Sequence, residues 1–188
     1  MEKYKKYYDL IKAQSYIFDK TQNCKIGQTW EYHLYPVIRN AIMLAIDYGA
    51  NKDVVEVAAI FHDYADLIDM NNRNEHHILG ANLAREILIK DGFDKDFIDK
   101  VCLCIKNHRA SVQLEKNSIE EICVADADAL SHLENVVELI CWRAYLGEDI
   151  KTANQFVKNK IIKSYNKMSK LSQNKFADKY NAILKVLY

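Results

Sequence analysis

An all-α fold is what this sequence predicts, on three observations. One proline and five glycines punctuate 188 residues, too few turn-formers for a strand-rich fold. Apolar residues recur at three- and four-residue intervals through most of the chain. Ser118-Ile119-Glu120-Glu121 has the form of a capping box, in which a hydroxyl and a carboxylate satisfy the free donors of a helix start.

The elements follow in order. Tyr4 to Phe18 sets Tyr7, Leu10, Ile11, Tyr16 and Ile17 at helical intervals, and the polar stretch Thr21 to Gln28, with Gly27, ends it. Thr29 is placed to cap a second helix, whose apolar positions include Trp30, Val37, Ile38, Ala41, Leu44 and Ala45, with Gly49 past its end. Pro36 inside that pattern predicts a kink or a helix start near it, with His33 just ahead of the bend. Asp53 opens Val54 to Asp63, too short for periodicity to separate helix from strand; its alanines and neighbours favour helix. Asp66 to Asn74 reads as a polar loop, and His76 to Lys90 as an amphipathic helix closed by Gly92. Asp94 to His108 repeats the helical spacing through Phe97, Ile98, Val101 and Ile105, and the helix begun at Ser118 carries Val124 to Ile140. Lys151 to Tyr188 turns rich in Lys and Asn and reads as a helical hairpin. The length suits one buried core. The expected organisation is a domain over 1–150 that includes the N-terminal helix, with a C-terminal helical extension over 151–188 packed on it.

Charge and cysteine usage exclude several classes. Lys plus Arg and Asp plus Glu both number 26, so no global field draws in nucleic acid or an anionic membrane. The lysines between Lys158 and Lys179 read as a solvated face, and no nucleic acid is expected as a partner. Cys24, Cys102, Cys104, Cys123 and Cys141 are odd in number and lie largely in apolar runs, which fits reduced thiols in a cytoplasmic protein. Cys102-Leu103-Cys104 lacks the spacing of a zinc knuckle. No apolar run reaches membrane-span length, and Met1 to Tyr8 is charged with no hydrophobic region behind it. Tyr4, Tyr7, Tyr8, Tyr32 and Tyr35 serve either a homodimer contact or the core, and the core is the expectation.

The chemistry lies in His62-Asp63. The run Val54 to Phe61, seven of eight residues apolar, ends in two ionisable groups, and burying these without partners is costly. His33 upstream and the Asp126/Asp128 pair downstream complete a set of nitrogen and oxygen donors that suits a divalent ion: Mn, Fe, Co, Ni, Zn or Mg. Two residues on a helix are about 200° apart, so Asp126 and Asp128 do not both face one ion. Asp66, one helical turn after Asp63, is placed to share the cavity without ligating, the position of a general acid or base. His132 reads as an ordinary surface or core histidine.

The order His33, His62-Asp63 and Asp128 within Val124-Ala-Asp-Ala-Asp-Ala-Leu130 resembles the HD-domain metal-dependent phosphohydrolase superfamily, an all-helical fold, over about Trp30 to Leu146. The resemblance implies that the metal ligands are His33, His62, Asp63 and Asp128, since the last ligand of that superfamily sits in an Ala-Asp-x-Leu context. Glu75 to Ala84 and Cys104 to Arg109 are similar to segments that carry extra histidines near the metal. They imply a second metal or a phosphate contact at His76, His77, His108 and Arg109, with His76 ahead of His77. As plainer readings, the two neighbouring histidines sit at an exposed helix N-terminus, and His108 and Arg109 face a helix dipole. The chain lacks the Gly-Tyr-Pro segment of cyclic-dinucleotide phosphodiesterases and the Glu-Asp pair of stringent-response hydrolases. The implied activity is release of phosphate from a small intracellular phosphomonoester, a nucleotide first, by attack of a metal-activated water. The alternatives are a phosphodiesterase with a two-metal site and a non-catalytic nucleotide-binding regulatory module.

Overall fold

A computed structural model describes residues 3–22, 28–109 and 116–187. Cys24, Gly27 and most of the loop expected over 21–28 lie outside them. The described residues contain no strand. The chain runs through α1 (Lys5–Thr21), a π-helical turn (Trp30–Leu34), α2 (Tyr35–Tyr48), α3 (Lys52–Phe61) and α4 (Tyr64–Ile68). A 3-10 turn (Met70–Asn74), α5 (His76–Lys90), α6 (Lys95–Asn107) and α7 (Ile119–Glu134) follow, and α8 (Val136–Tyr145), α9 (Ile150–Lys167) and α10 (Lys170–Val186) complete it.

Helix α3 is the axis of the bundle. Every residue from Val54 to Phe61 is buried, with α1, α2, α6 and α7 packed around it. Burial of side chains such as Val, Ile and Phe stabilises the fold by roughly 1.5–3 kcal/mol each, which is why this segment is helical and central despite its shortness. The side chain of Asn51 caps it, accepting from the amides of Asp53 and Val54 at 3.1 and 3.3 Å. Its one charged buried residue, Glu56, accepts a hydrogen bond from the Tyr8 hydroxyl at 3.0 Å. At its end Asp63 leaves the helical region, with φ −109° and ψ 14°, and α4 starts at once. His62-Asp63 is therefore the joint between two helices, held in the interior.

Three local expectations are corrected and one, at Pro36, is met. Asp66 to Asn74 is not a loop: Ala65 and Leu67 are buried, α4 forms, and the 3-10 turn follows. Thr29 does not cap a helix, because its amide and hydroxyl are taken by Asp19 at 2.9 and 2.5 Å. A π-helical turn runs into α2, and Pro36 falls in the first turn of α2, the helix start expected near it. The helix from Ser118 stops at Glu134, where Asn135 donates its side-chain amide to the carbonyls of Tyr32 and Ser131, and α8 restarts beyond it.

The capping box is present: the Ser118 hydroxyl accepts from the Glu121 amide at 3.2 Å. Gly49 ends α2 at φ 71°, a left-handed conformation that glycine adopts without strain. Asp126, the acid not expected to ligate, is buried and accepts from the amide and hydroxyl of Ser169, which starts α10. The terminal hairpin is thereby tied to α7, and a second apolar cluster joins Leu130 and Leu133 to Val157, Ile161, Met168 and Leu187. Tyr4, Tyr7 and Tyr8 are core residues, whereas Tyr32 and Tyr35 are exposed at 44% and 39%, which corrects the expectation for those two. Cys102, Cys104 and Cys123 are buried free thiols, and Cys141 is exposed. No described helix is long and apolar enough to cross a membrane.

Candidate metal centre

Six segments, spread from residue 33 to residue 132, deliver the site. The π-helical turn carries His33, the α3–α4 joint His62 and Asp63, α4 carries Asp66, the first turn of α5 His76, the residue after α6 is His108, and α7 carries Asp128 and His132. A π-helical turn shifts the facing of the residues it contains, and such turns recur at functional sites.

Asp63 lies at the centre with its two oxygens turned to different partners. Oδ2 is 3.0 Å from Nε2 of His33 and 3.3 Å from Nε2 of His62. Oδ1 is 3.3 Å from Nε2 of His76 and 3.5 Å from Nε2 of His108. Asp128 reaches His33, with Oδ1 at 3.7 Å from Nε2. Donor atoms of His33, His62 and Asp63 lie within 4.8 Å of one another, and so do those of Asp63, His76 and His108 and those of His33, Asp128 and His132. Two of these sets share Asp63, and His33 links the third.

Hydrogen bonds on the far side of each ring show what the near side is for. Nδ1 of His62 is 2.8 Å from the Ala59 carbonyl, and that of His76 is 2.9 Å from the Arg73 carbonyl. Nδ1 of His108 is 2.5 Å from the Ile105 carbonyl. A carbonyl only accepts, so each Nδ1 donates. The Ser131 hydroxyl donates to the Asp128 carbonyl at 2.7 Å and so accepts from Nδ1 of His33 at 3.2 Å. With Nδ1–H fixed, each ring turns its Nε2 inward, as a lone pair when the ring is neutral. Nε2 of His33 and His62 then face each other at 3.4 Å and those of His76 and His108 at 3.2 Å, all against one carboxylate. Converging lone pairs call for positive charge, and backbone-oriented imidazoles with shared carboxylate are the donor set of a divalent cation. The residues fit such an ion.

The electrostatics show the same demand for positive charge at the centre, which a proton on Nε2 or a cation meets. Burial pulls His33 and His62 down, yet the carboxylates of Asp63 and Asp128 outweigh it and raise both. Burial pushes Asp63 up, but His62, His108 and His33 hold it well below the usual carboxylate range. Asp66 behaves oppositely: burial and the negative charge of Asp63 raise it. One of its oxygens, Oδ1, is buried with no hydrogen-bond partner, and Oδ2 is 3.9 Å from Nδ1 of His76. A carboxylate left unsatisfied by the fold, beside a donor set it does not join, is the arrangement expected of a proton carrier.

A cavity of about 690 Å³ opens over this centre. His33, Asp63, Asp66, His76, His108, Arg109 and Asp128 all line it. His76 and His77 are both buried, so the exposed helix terminus offered as their plainer reading is not what the fold makes. They also part company: His77 neither lines the cavity nor joins a donor set, and its Nδ1 is buried without a partner. Arg109 donates to the Asn74 carbonyl while facing the cavity.

Sequence reading passed over several residues here. His132 is stacked on His33 with ring centroids 5.8 Å apart, its Nδ1 3.0 Å from the Ser164 hydroxyl, and burial lowers it to about 3. Its signal was its place four residues after Asp128, on the same helix face. Arg73, Lys160 and Lys167 also line the cavity, so two lysines of the expected solvated face look inward. Nothing in their local spacing sets them apart from the other lysines of α9. The packing of the hairpin selects them.

Residues 30–133, more than half of the chain, match the HD domain family. The chain belongs to that family. HD domains are metal-dependent hydrolases that bind divalent ions, and the matched segment runs from the π-helical turn to the end of α7, so it holds every donor described above. Among curated proteins, the chain is 31% identical over 105 residues to Ribonuclease Y of Rubrobacter xylanophilus and 34% identical over 105 residues to Ribonuclease Y of Finegoldia magna. Each match covers 56% of this chain and 18% of the relative, so the likeness is confined to less than a fifth of those proteins. No solved structure matches the chain at the same level of significance.

Proposed function

We propose that this HD protein is a phosphohydrolase that releases phosphate from a nucleotide, at a centre whose residues would hold two divalent cations. The observation that carries this reading is the division of the Asp63 carboxylate, Oδ2 to His33 and His62 and Oδ1 to His76 and His108. His33, His62, Asp63 and Asp128 would hold one cation, and Asp63, His76 and His108 the other. Bound there, divalent cations supply Lewis acidity to phosphoryl oxygens and lower the pKa of water.

The chain's own residues do the rest. Asp66, held up by burial and by Asp63, takes the proton of the attacking water as the new P–O bond forms, and returns it to the ester oxygen as the old bond breaks. Arg73, Arg109, Lys160 and Lys167 bring positive charge to a cavity of a protein with none in excess, which favours a substrate with several negative charges. The volume falls within the roughly 300–1,000 Å³ of small-molecule sites. A cytoplasmic setting accords with free cysteines.

A second reading has its own support. Two cations sharing a ligand also suit a phosphodiester, and both curated relatives are named ribonucleases. The test is a phosphate-release screen over nucleoside mono-, di- and triphosphates and ribose 5-phosphate, with Mn, Co, Ni and Mg, beside a short oligoribonucleotide. Inorganic phosphate from a nucleotide supports the first reading. Oligonucleotide cleavage without free phosphate replaces it with the second. Neither product with any ion leaves a non-catalytic nucleotide-binding module.

A further inference from the structure

One end of the cavity is aromatic. Helix α8 is hydrophobic at eight of its ten residues and yet buries none of them. Its Trp142 lines the cavity, as does Phe156 of α9, which is 39% exposed. Among the described residues, neither aromatic belongs to either apolar cluster of the fold. The Arg143 guanidinium lies over Phe156 at 4.0 Å from the ring centroid, and Glu148 holds it there with a two-pronged ion pair whose Nε–Oε2 arm is 2.8 Å. An arginine held over one aromatic ring and 5.5 Å from the centroid of a second, Trp142, forms with them a platform for planar π-systems.

The platform is in register with the phosphate end. Lys160 follows Phe156 by four residues on α9, so both project from one face with about one helical turn, 5.4 Å, between them. On the opposite helices, Asp128 and Trp142 line the same cavity from α7 and α8. A ligand with an acidic end at Lys160 and the metal ligands and a flat apolar end at Phe156 spans this line. These platform residues lie beyond the 30–133 segment that matches the family.

We propose that the α8–α9 end of the cavity is a base-stacking subsite, in which Trp142 and the Arg143–Phe156 pair take the aromatic base of a mononucleotide by its faces. The recognition is by stacking, so it accepts purines and pyrimidines alike. The phosphohydrolase reading supplies only what happens to the phosphate; the base contact stands apart from it.

The experiment keeps the two separate by using nucleosides, which carry the base and no phosphate ester. The full chain is titrated with adenosine and cytidine while tryptophan fluorescence is followed. Trp142 reports from the cavity, and Trp30, packed against Tyr8 and Tyr35 elsewhere, does not. Saturable quenching is expected, lost in Trp142→Phe and weakened about tenfold in affinity in Phe156→Ala, with ribose 5-phosphate giving none. In turnover assays Trp142→Ala is expected to raise KM for nucleoside monophosphates about tenfold and leave kcat/KM for ribose 5-phosphate unchanged, and Trp142→Tyr to restore the parent value. Absence of saturable quenching, or an equal loss on both phosphate substrates, overturns the subsite. Absence of phosphate release with quenching intact overturns the phosphohydrolase reading alone.

Discussion

Nε2 of His76 stands 3.2 Å from Nε2 of His108, although each ring has already given its Nδ1–H to a backbone carbonyl. Two imidazole lone pairs at that distance, in the interior, repel unless positive charge lies between them. His33 and His62 repeat the relationship at 3.4 Å on the other oxygen of Asp63. The chain thus builds two such pairs around one carboxylate.

The first prediction concerns ion content. In protein purified without chelator, His108→Ala is expected to lose one of two bound ions and keep the one held by His33, His62, Asp63 and Asp128. Asp63→Ala is expected to lose both together with activity. Elemental analysis reads each outcome, and unchanged ion content in Asp63→Ala counts against the whole ligand assignment.

Asp66 separates binding from turnover. Asp66→Asn is expected to retain the parent's ions and to lose roughly 10²–10⁴ in kcat, the usual contribution of a positioned proton carrier. A loss of ions alongside the rate would make Asp66 a ligand instead.

Ser131 acts through His33. Its hydroxyl is the acceptor that fixes the His33 tautomer, so Ser131→Ala is expected to weaken ion affinity roughly 10–100-fold with the fold intact. Competition with a chelator measures it, and Ser131→Thr is expected to recover most of the affinity.

Much of this was legible in the sequence because it depends on local rules. The helices, the capping box at Ser118 and the end of α2 at Gly49 follow from periodicity and cap chemistry, and the burial of His62-Asp63 follows from the apolar run ahead of it. What was not legible depends on tertiary geometry. Thr29 has the composition of a cap but is claimed by Asp19 ten residues earlier. The neighbours His76 and His77 differ only in which way the first turn of α5 points, and adjacent helix positions point about 100° apart. Lys160 looks like its solvated neighbours until α9 is laid against α7.

A further prediction tests the frame that holds α7. Glu134 accepts from Arg39, Asn40 and Lys179 at 2.6, 2.8 and 3.0 Å. Burial pushes its carboxyl up, but these bonds outweigh it and hold it below its ordinary value of 4.5. A carboxyl depressed in the folded state stabilises the fold above its unfolded value, and that stability is lost as pH falls through the folded value. Glu134→Gln is therefore expected to lower stability near pH 7 by on the order of 1 kcal/mol, with the difference from the parent closing as pH falls from 4.5 through the folded value. Thermal melts across that range check it.

The most direct measurement is anomalous diffraction from crystals grown with Mn²⁺. Two peaks about 3.5–4 Å apart are expected, one contacted by Oδ2 of Asp63 with His33 and His62, the other by Oδ1 with His76 and His108. A single peak, or any pair of peaks that Asp63 does not bridge, would contradict the account.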